Sequence, residues 1–193
     1  MINYKNKFIF IHIPKCGGNS IKIALGLKWT DHCKISQKRY FNHMDYFKFT
    51  FVRNPWDRFL SAYSYLKAGG MNDQDLLLKQ KIERYNSFKQ FVLEAPFLNY
   101  LHFQPMFNHI QIDDKDQMNF IGRVENYQED FNTICDKIGI PRQELLHKNK
   151  SKHKHYTEYY DDETREIVAK KYAKDIEYFG YKFGGRKNEY VKM

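Results

Sequence analysis

The stretch FIFIHIPKCGGNSIKIAL, Phe8 to Leu25, sets an apolar run against a proline, a lysine, a cysteine and two glycines, then resumes its apolar residues at helical spacing. A β-branched and aromatic run bounded in this way reads as a strand buried on both faces, the kind found in a parallel sheet. Lys7 to Ile13 is therefore predicted as a strand and Gly17 to Leu27 as the helix after it, with Asn19 and Ser20 suited to its first turn. Pro14 ends the strand, Gly17 and Gly18 let the backbone turn and approach a ligand closely, and the first helical amides favour an anion. Lys15 adds a positive charge and Ser20 a hydroxyl donor. Lys15, Cys16, Gly17, Gly18, Asn19 and Ser20 together are a candidate phosphate cradle; the plainer reading is a glycine turn with a surface lysine. The lysine precedes the glycines, so this is not the G-x-x-x-x-G-K-[ST] loop of nucleotide triphosphatases.

The same order of elements recurs. KFTFV, Lys48 to Val52, reads as a strand, followed by Pro55 as a first helical residue and an aromatic-rich helix through Leu66 that stops at Ala68-Gly69-Gly70. The second strand runs into Arg53, where a magnesium-dependent kinase or NTPase would carry the acid that holds the metal. An arginine there suits bidentate capture of a phosphate. Ser61, two turns into the helix, can donate to the same anion, whereas Arg58 is assigned a structural role. Two anion sites at adjacent strand ends describe a ligand phosphorylated at both ends.

MNFIGRV, Met118 to Val124, is a third strand candidate, with a helix from Tyr127 to Ile138 ending at Gly139 and Pro141. The last helix starts near Asp161 and places Val168, Tyr172, Ile176 and Phe179 on one face. Between these, Asn72 to Gln111 is expected to be mostly helical, with Leu76, Leu77, Phe88, Phe91 and Val92 in the core. Alternating strands and helices predict an α/β fold, a P-loop-like three-layer domain with a short central parallel sheet flanked by helices and ligands at the carboxyl ends of the strands. The chain has 193 residues, enough for one domain, expected over 1–185 and followed by a solvated basic tail over 186–193.

Lysine and arginine exceed aspartate and glutamate by 32 − 23 = 9, which favours an anionic partner. Cys16, Cys33 and Cys135 show no CxxC spacing, so neither a disulfide framework nor a zinc finger is suggested. No apolar stretch approaches the ~18 residues of a membrane helix, and the first residues lack a signal-peptide core, so the chain is expected to be without a transmembrane segment. His147, His153 and His155 are interleaved with lysines that would repel a cation, and no metal is expected there.

IPKCGGNSI resembles the 5′-phosphosulfate loop, and FVRNPWDRFLSAY the 3′-phosphate loop, of sulfotransferases that use 3′-phosphoadenosine 5′-phosphosulfate (PAPS). The second is close to the R-[DN]-P-x-x-R-x-x-S-x-Y form of carbohydrate sulfotransferases, including the heparan 2-O- and chondroitin/HNK-1-type enzymes and bacterial relatives. The resemblance implies that Lys15 contacts the 5′ side and that Arg53 and Ser61 hold the 3′-phosphate. FIGRVENYQEDF is similar to the family's third strand and helix entry, and the final helix to its terminal one. HKNKS, His147 to Ser151, resembles the H-x-N-x-S loop of chondroitin-type members, which implies that Asn149 and Ser151 lie near PAPS. HFQPMF departs from the family's H-x-R-P-Q, with Gln104 and Met106 in place of arginine and glutamine.

Sulfuryl transfer needs an aligned acceptor hydroxyl, a base and positive charge on the leaving phosphate. Lys15 suits the last task. His43 in YFNHMDYF is the expected base, since it precedes the second strand much as the catalytic histidine of the heparan 2-O type precedes its own, and histidine as a residue type is suited to taking a proton near neutral pH. The expected function is a PAPS-dependent sulfotransferase acting on a hydroxyl, of a carbohydrate above all. The family's eukaryotic carbohydrate members are membrane-anchored in the Golgi; the expected setting here is the cytoplasm of a bacterial type, or a Golgi-type catalytic domain freed of its anchor. One rival is a cysteine-dependent phosphatase built on Cys16, but C-x5-R would require arginine where Lys22 stands. The other is a non-catalytic basic module binding polyanions; its aromatics lie at core spacing without interleaved arginines, so no nucleic-acid stacking platform is expected.

Overall fold

The structure, a computed structural model, describes residues 1–28, 32–95, 99–146 and 154–185. Asn149, Ser151, His147, His153 and the tail over 186–193 lie outside the described residues. In chain order the elements are β1 (Ile2–Asn3), β2 (Phe8–Ile11), α1 (Gly18–Ala24), β3 (Phe47–Val52), α2 (Pro55–Lys67), α3 (Asp73–Ile82), α4 (Phe88–Glu94), α5 (Phe107–Ile110), β4 (Gln111–Ile112), β5 (Lys115–Asp116), β6 (Phe120–Arg123), α6 (Tyr127–Ile138), α7 (Asp162–Lys171) and α8 (Ala173–Phe179). The architecture is mixed α/β. Two compact units divide it: one takes Met1–Arg53 and the described residues from Met106 to 146, the other Asn54–Pro105 and 154–185.

The first unit carries a sheet of order β1-β2-β3-β6, in which β2, β3 and β6 are parallel and β1 is an antiparallel edge. All four residues of β2 are buried, which is why the sequence shows an unbroken apolar run rather than alternation. Phe10 and Phe49 stack at 5.1 Å between centroids, and the Thr50 hydroxyl donates to the Ile11 carbonyl at 2.7 Å, so the two strands are joined by side chains as well as by their ladder. Register pairs Ile11 with Thr50 and Val52 with Arg123. β3 and β6 thereby end level and β2 two residues earlier, and the segments that follow them emerge on one edge.

The second unit is helical among its described residues. Asn54 caps α2 by accepting from the Trp56 amide at 3.2 Å, with Pro55 next in sequence. Phe59, Tyr63, Phe88, Phe91, Phe103 and Tyr172 form its aromatic core. Leu76 and Leu77, expected in that core, are exposed, and Leu78 of the same helix is buried instead. The buried residues of α3 are Asp75, Leu78 and Ile82, spaced three and four apart on one stripe, and Leu76 and Leu77 fall off it. The expected final helix is two, α7 and α8, broken at Tyr172, whose φ of −112° and ψ of 26° leave the helical basin. No helix among the described residues is long and apolar enough to cross a membrane.

Lys171, at the end of α7, has its pKa pushed down from 10.5 to about 8 by burial and by the Arg58 charge. Its proton is held more weakly folded than unfolded, so charging it opposes folding. Stability is therefore expected to rise between about pH 8 and pH 10.5, where the unfolded chain still binds that proton. Lys171→Met is expected to remove that rise and to be more stable at pH 7. Urea midpoints at pH 7 and 9 check both; an unchanged pH slope in the variant would dismiss the lysine as the cause.

Candidate active site

The segment after β2 adopts a backbone that sequence propensity disfavours. Lys15 has φ +66° and Gly17 φ +78°, and a left-handed lysine costs about 1–2 kcal/mol. Alternating left- and right-handed residues turn successive amides toward one side, a geometry suited to anions. Space beneath the loop is filled. A Cβ on Gly18 would meet the His12 ring at 2.0 Å, and one on Gly17 would meet the Tyr127 hydroxyl at 2.5 Å. The two glycines are thus needed for close packing below the loop as well as for its turn.

Arg53 follows β3 directly, and its Nη1 donates to the Lys15 carbonyl at 3.4 Å. The two loops expected from sequence to take anions therefore meet, through the second loop's guanidinium and the first loop's backbone. Met106 stands between them. It is fully buried, its sulfur 3.7 Å from the Cys16 thiol and 3.5 Å from the Arg53 amide, which donates to it. The departure from the family's H-x-R-P-Q is thus a soft side chain wedged between the loops. Cys16 points inward, 1% exposed, with its thiol toward the Pro14 carbonyl and its amide donating to the Ile13 carbonyl at 3.4 Å. Its side chain builds the loop from below. Ser20 is half-buried and donates to the Leu146 carbonyl at 2.6 Å, and Asn19 is exposed. Ser61 is half-buried on α2 in the second unit.

His43 does not join the loops. It ends a 3-10 turn, Lys38–His43, that enters the amino end of β3, and its ring lies 5.3 Å from that of Tyr4 and 5.0 Å from that of Tyr46. Arg53 lies beyond the other end of β3, and a strand of that length spans roughly 17 Å. The closeness of His43 to Arg53 in sequence is undone by the direction of the strand between them.

A different histidine pair lies at the loop. His12, just past β2, is 5% exposed, stacks on Phe10 and packs under Gly18. The His32 ring is 4.5 Å from that of His12. The segment after His32 is anchored by His109: the Ile35 amide donates to the His109 carbonyl at 2.8 Å, and His109 Nδ1 is 3.0 Å from the Cys33 carbonyl. A carbonyl only accepts, so that Nδ1 carries the proton. Arg123, at the end of β6 and paired in register with Val52, adds a buried cation on the same edge. No spacing rule in the sequence marks His32; the sole signal for Arg123 is its place at the end of the third strand.

Over residues 1–182 the chain matches a family model described as "Sulfotransferase family". A curated relative, an uncharacterized protein of Archaeoglobus fulgidus, is 32% identical over 99 residues, which is 51% of this chain and 72% of that protein. No solved structure matches.

Proposed function

The chain belongs to the sulfotransferase family, and from that premise we propose that it moves a sulfuryl group from PAPS to a hydroxyl, with a carbohydrate as the acceptor class. The observation that carries the reading is the meeting of Arg53 with the Lys15 backbone, which joins two cationic loops at neighbouring strand ends. Neither 14–20 nor 52–54 contains an acidic residue, so this donor set suits an anion. The inward thiol of Cys16 disfavours the phosphatase reading, since a nucleophile must reach its phosphorus. We further read residues 1–185 as one catalytic domain of the P-loop-like three-layer type, supported by the span of the family match and by loops placed after two adjacent parallel strands.

PAPS, when bound, supplies a sulfuryl group: a bond forms from the acceptor oxygen to sulfur, and the bond from sulfur to the 5′-phosphate oxygen breaks with its electron pair on that oxygen. Lys15 would hold the 5′ side and meet the charge developing there. Arg53 would hold the 3′-phosphate by the guanidinium fork. The backbone of Gly17 and Gly18 and the side chains of Asn19 and Ser20 would line the 5′ side; Asn149 and Ser151 are proposed for the cofactor on the resemblance of HKNKS alone. His32 would take the acceptor proton; an imidazole is suited to that task, and its ring stands beside the loop through His12, whereas His43 stands at the far end of β3.

Calorimetric titration with 3′-phosphoadenosine 5′-phosphate (PAP), beside AMP and ATP in metal-free buffer, tests the reading. Binding is expected to require the 3′-phosphate and to be lost in Arg53→Ala. His32→Ala is expected to bind PAP normally while losing transfer, and His43→Ala to keep both. Equal affinity for all three nucleotides would overturn the cofactor reading, and loss of transfer in His43→Ala alone would overturn the choice of base.

A further inference from the structure

Tyr127 is a first-turn residue of α6, on the connection after the third parallel strand, and nothing in the chemistry above uses it. Its side chain nonetheless ends inside the first loop. The residue is 9% exposed, its ring meets Phe51 edge to face at 5.3 Å, and its hydroxyl donates to the Gly17 carbonyl. Ser20 and the Ile21 amide bear on the same oxygen, and burial pushes the hydroxyl well above the ordinary tyrosine range, so it stays protonated and able to donate. The first helix has no side-chain cap of its own, Gly17 being its N-cap residue. One oxygen from a distant part of the chain is thus tied to the residue that opens this helix.

The loop needs such a tie. Lys15 and Gly17 both hold left-handed conformations, and the first of these is strained and persists only where the surroundings over-determine it. Below the loop the fit admits no slack, since a Cβ on Gly17 would overlap the Tyr127 ring. The next residue, Gln128, holds a second piece of chain against the same loop. Its amide nitrogen donates to the Gln143 carbonyl at 2.8 Å and its oxygen accepts from the Leu145 amide at 2.9 Å, and the following carbonyl, that of Leu146, accepts from Ser20.

We propose that Tyr127 is a positioning residue for the donor loop: its hydroxyl fixes the Gly17 carbonyl and with it the backbone geometry that presents Lys15 and the following amides to an anionic ligand. It acts through the loop and need not touch the ligand. The proposal rests on the sulfotransferase reading for what the loop binds, but not for the ordering of the loop itself.

Tyr127→Phe separates the two roles open to the side chain, because phenylalanine keeps the ring against Phe51 and removes only the hydroxyl. Hydrogen exchange of the Cys16 to Ser20 amides, followed by mass spectrometry on the full chain, reads the loop without any ligand. At least a tenfold faster exchange in those residues is expected, while peptides of β3 and the thermal midpoint stay near wild type. Titration with PAP is expected to show about tenfold weaker binding, and initial rates a raised KM for PAPS with kcat lowered less. Tyr127→Leu, which loses the ring as well, is expected to lower the midpoint too. Unchanged exchange in Tyr127→Phe would overturn the proposal whatever the nucleotide data show. Faster exchange in a protein whose wild type does not bind PAP would uphold the positioning role and sink the sulfotransferase reading of the ligand.

Discussion

Replacing Lys15 by alanine is expected to lower the rate of sulfuryl transfer by about a thousandfold, the scale on which enzymes lose rate when a donor aimed at developing charge is removed. The expected loss is chemical rather than conformational. Lysine and alanine are both L-residues with a Cβ, so the φ of +66° at position 15 strains either one by a similar amount. The Arg53 hydrogen bond ends on the Lys15 carbonyl, which the substitution leaves in place. Folding and the meeting of the two loops should therefore survive, and the affinity for PAP should fall much less than the rate. A continuous assay of PAP release, run beside the calorimetry, checks both quantities. Loss of less than tenfold in rate would remove Lys15 from the transition state, and loss of PAP binding equal to the loss of rate would make it a ground-state anchor.

Arg58→Ala is expected to destabilise the helical unit by about 3–5 kcal/mol, the range for emptying a large buried side chain, here with two carbonyls losing their donor. Arg58 is fully buried; one of its terminal nitrogens donates to the His102 carbonyl at 3.3 Å and to the Gln104 carbonyl at 2.7 Å. Its guanidinium carbon lies 5.6 Å over the Tyr172 ring, and the Tyr172 hydroxyl donates to the Phe103 carbonyl at 2.9 Å. Alanine removes these donors, leaves a cavity in an aromatic core and weakens the tie between α2 and the break at Tyr172. Lysine should not rescue it, since a point charge lacks the planar fork and the face that stacks on the tyrosine. Urea denaturation of the variants measures the effect, and a change under about 1 kcal/mol would show that the guanidinium is not a fastening. Within one short motif, Arg58 is fully buried and Arg53 half-buried, which fits the first to structure and leaves the second open to the proposed ligand.

The elements that sequence reasoning located best are those whose burial is uniform. The strands β2 and β3, with α2 and α6 after β3 and β6, stand close to their expected bounds because unbroken apolar runs, Pro55 and Gly139 are local signals. Elements set by distant contacts were not legible. The break at Tyr172 follows from what surrounds that ring, which no local propensity encodes, and the edge strand β1 has two residues, too few for a pattern. For the candidate site, Lys15 and Arg53 follow neighbouring strands, so topology alone brings their segments together, whereas the separation of His43 from Arg53 could be read only from the direction of β3. The role of Met106 could not be read from its substitution, because what it fills is the space between two loops from different strands.

Lys15 and Arg53 extend from strands that are immediate neighbours, and neighbouring strands lie about 4.8 Å apart whatever their side chains. The sheet therefore works as a fixed gauge. With β2 and β3 clasped by Thr50 and by stacked phenylalanines, the spacing of the two strand ends from which the loops start belongs to the backbone. On the proposed reading, a nucleotide analogue whose two anionic ends are set farther apart than in PAP is expected to bind less tightly.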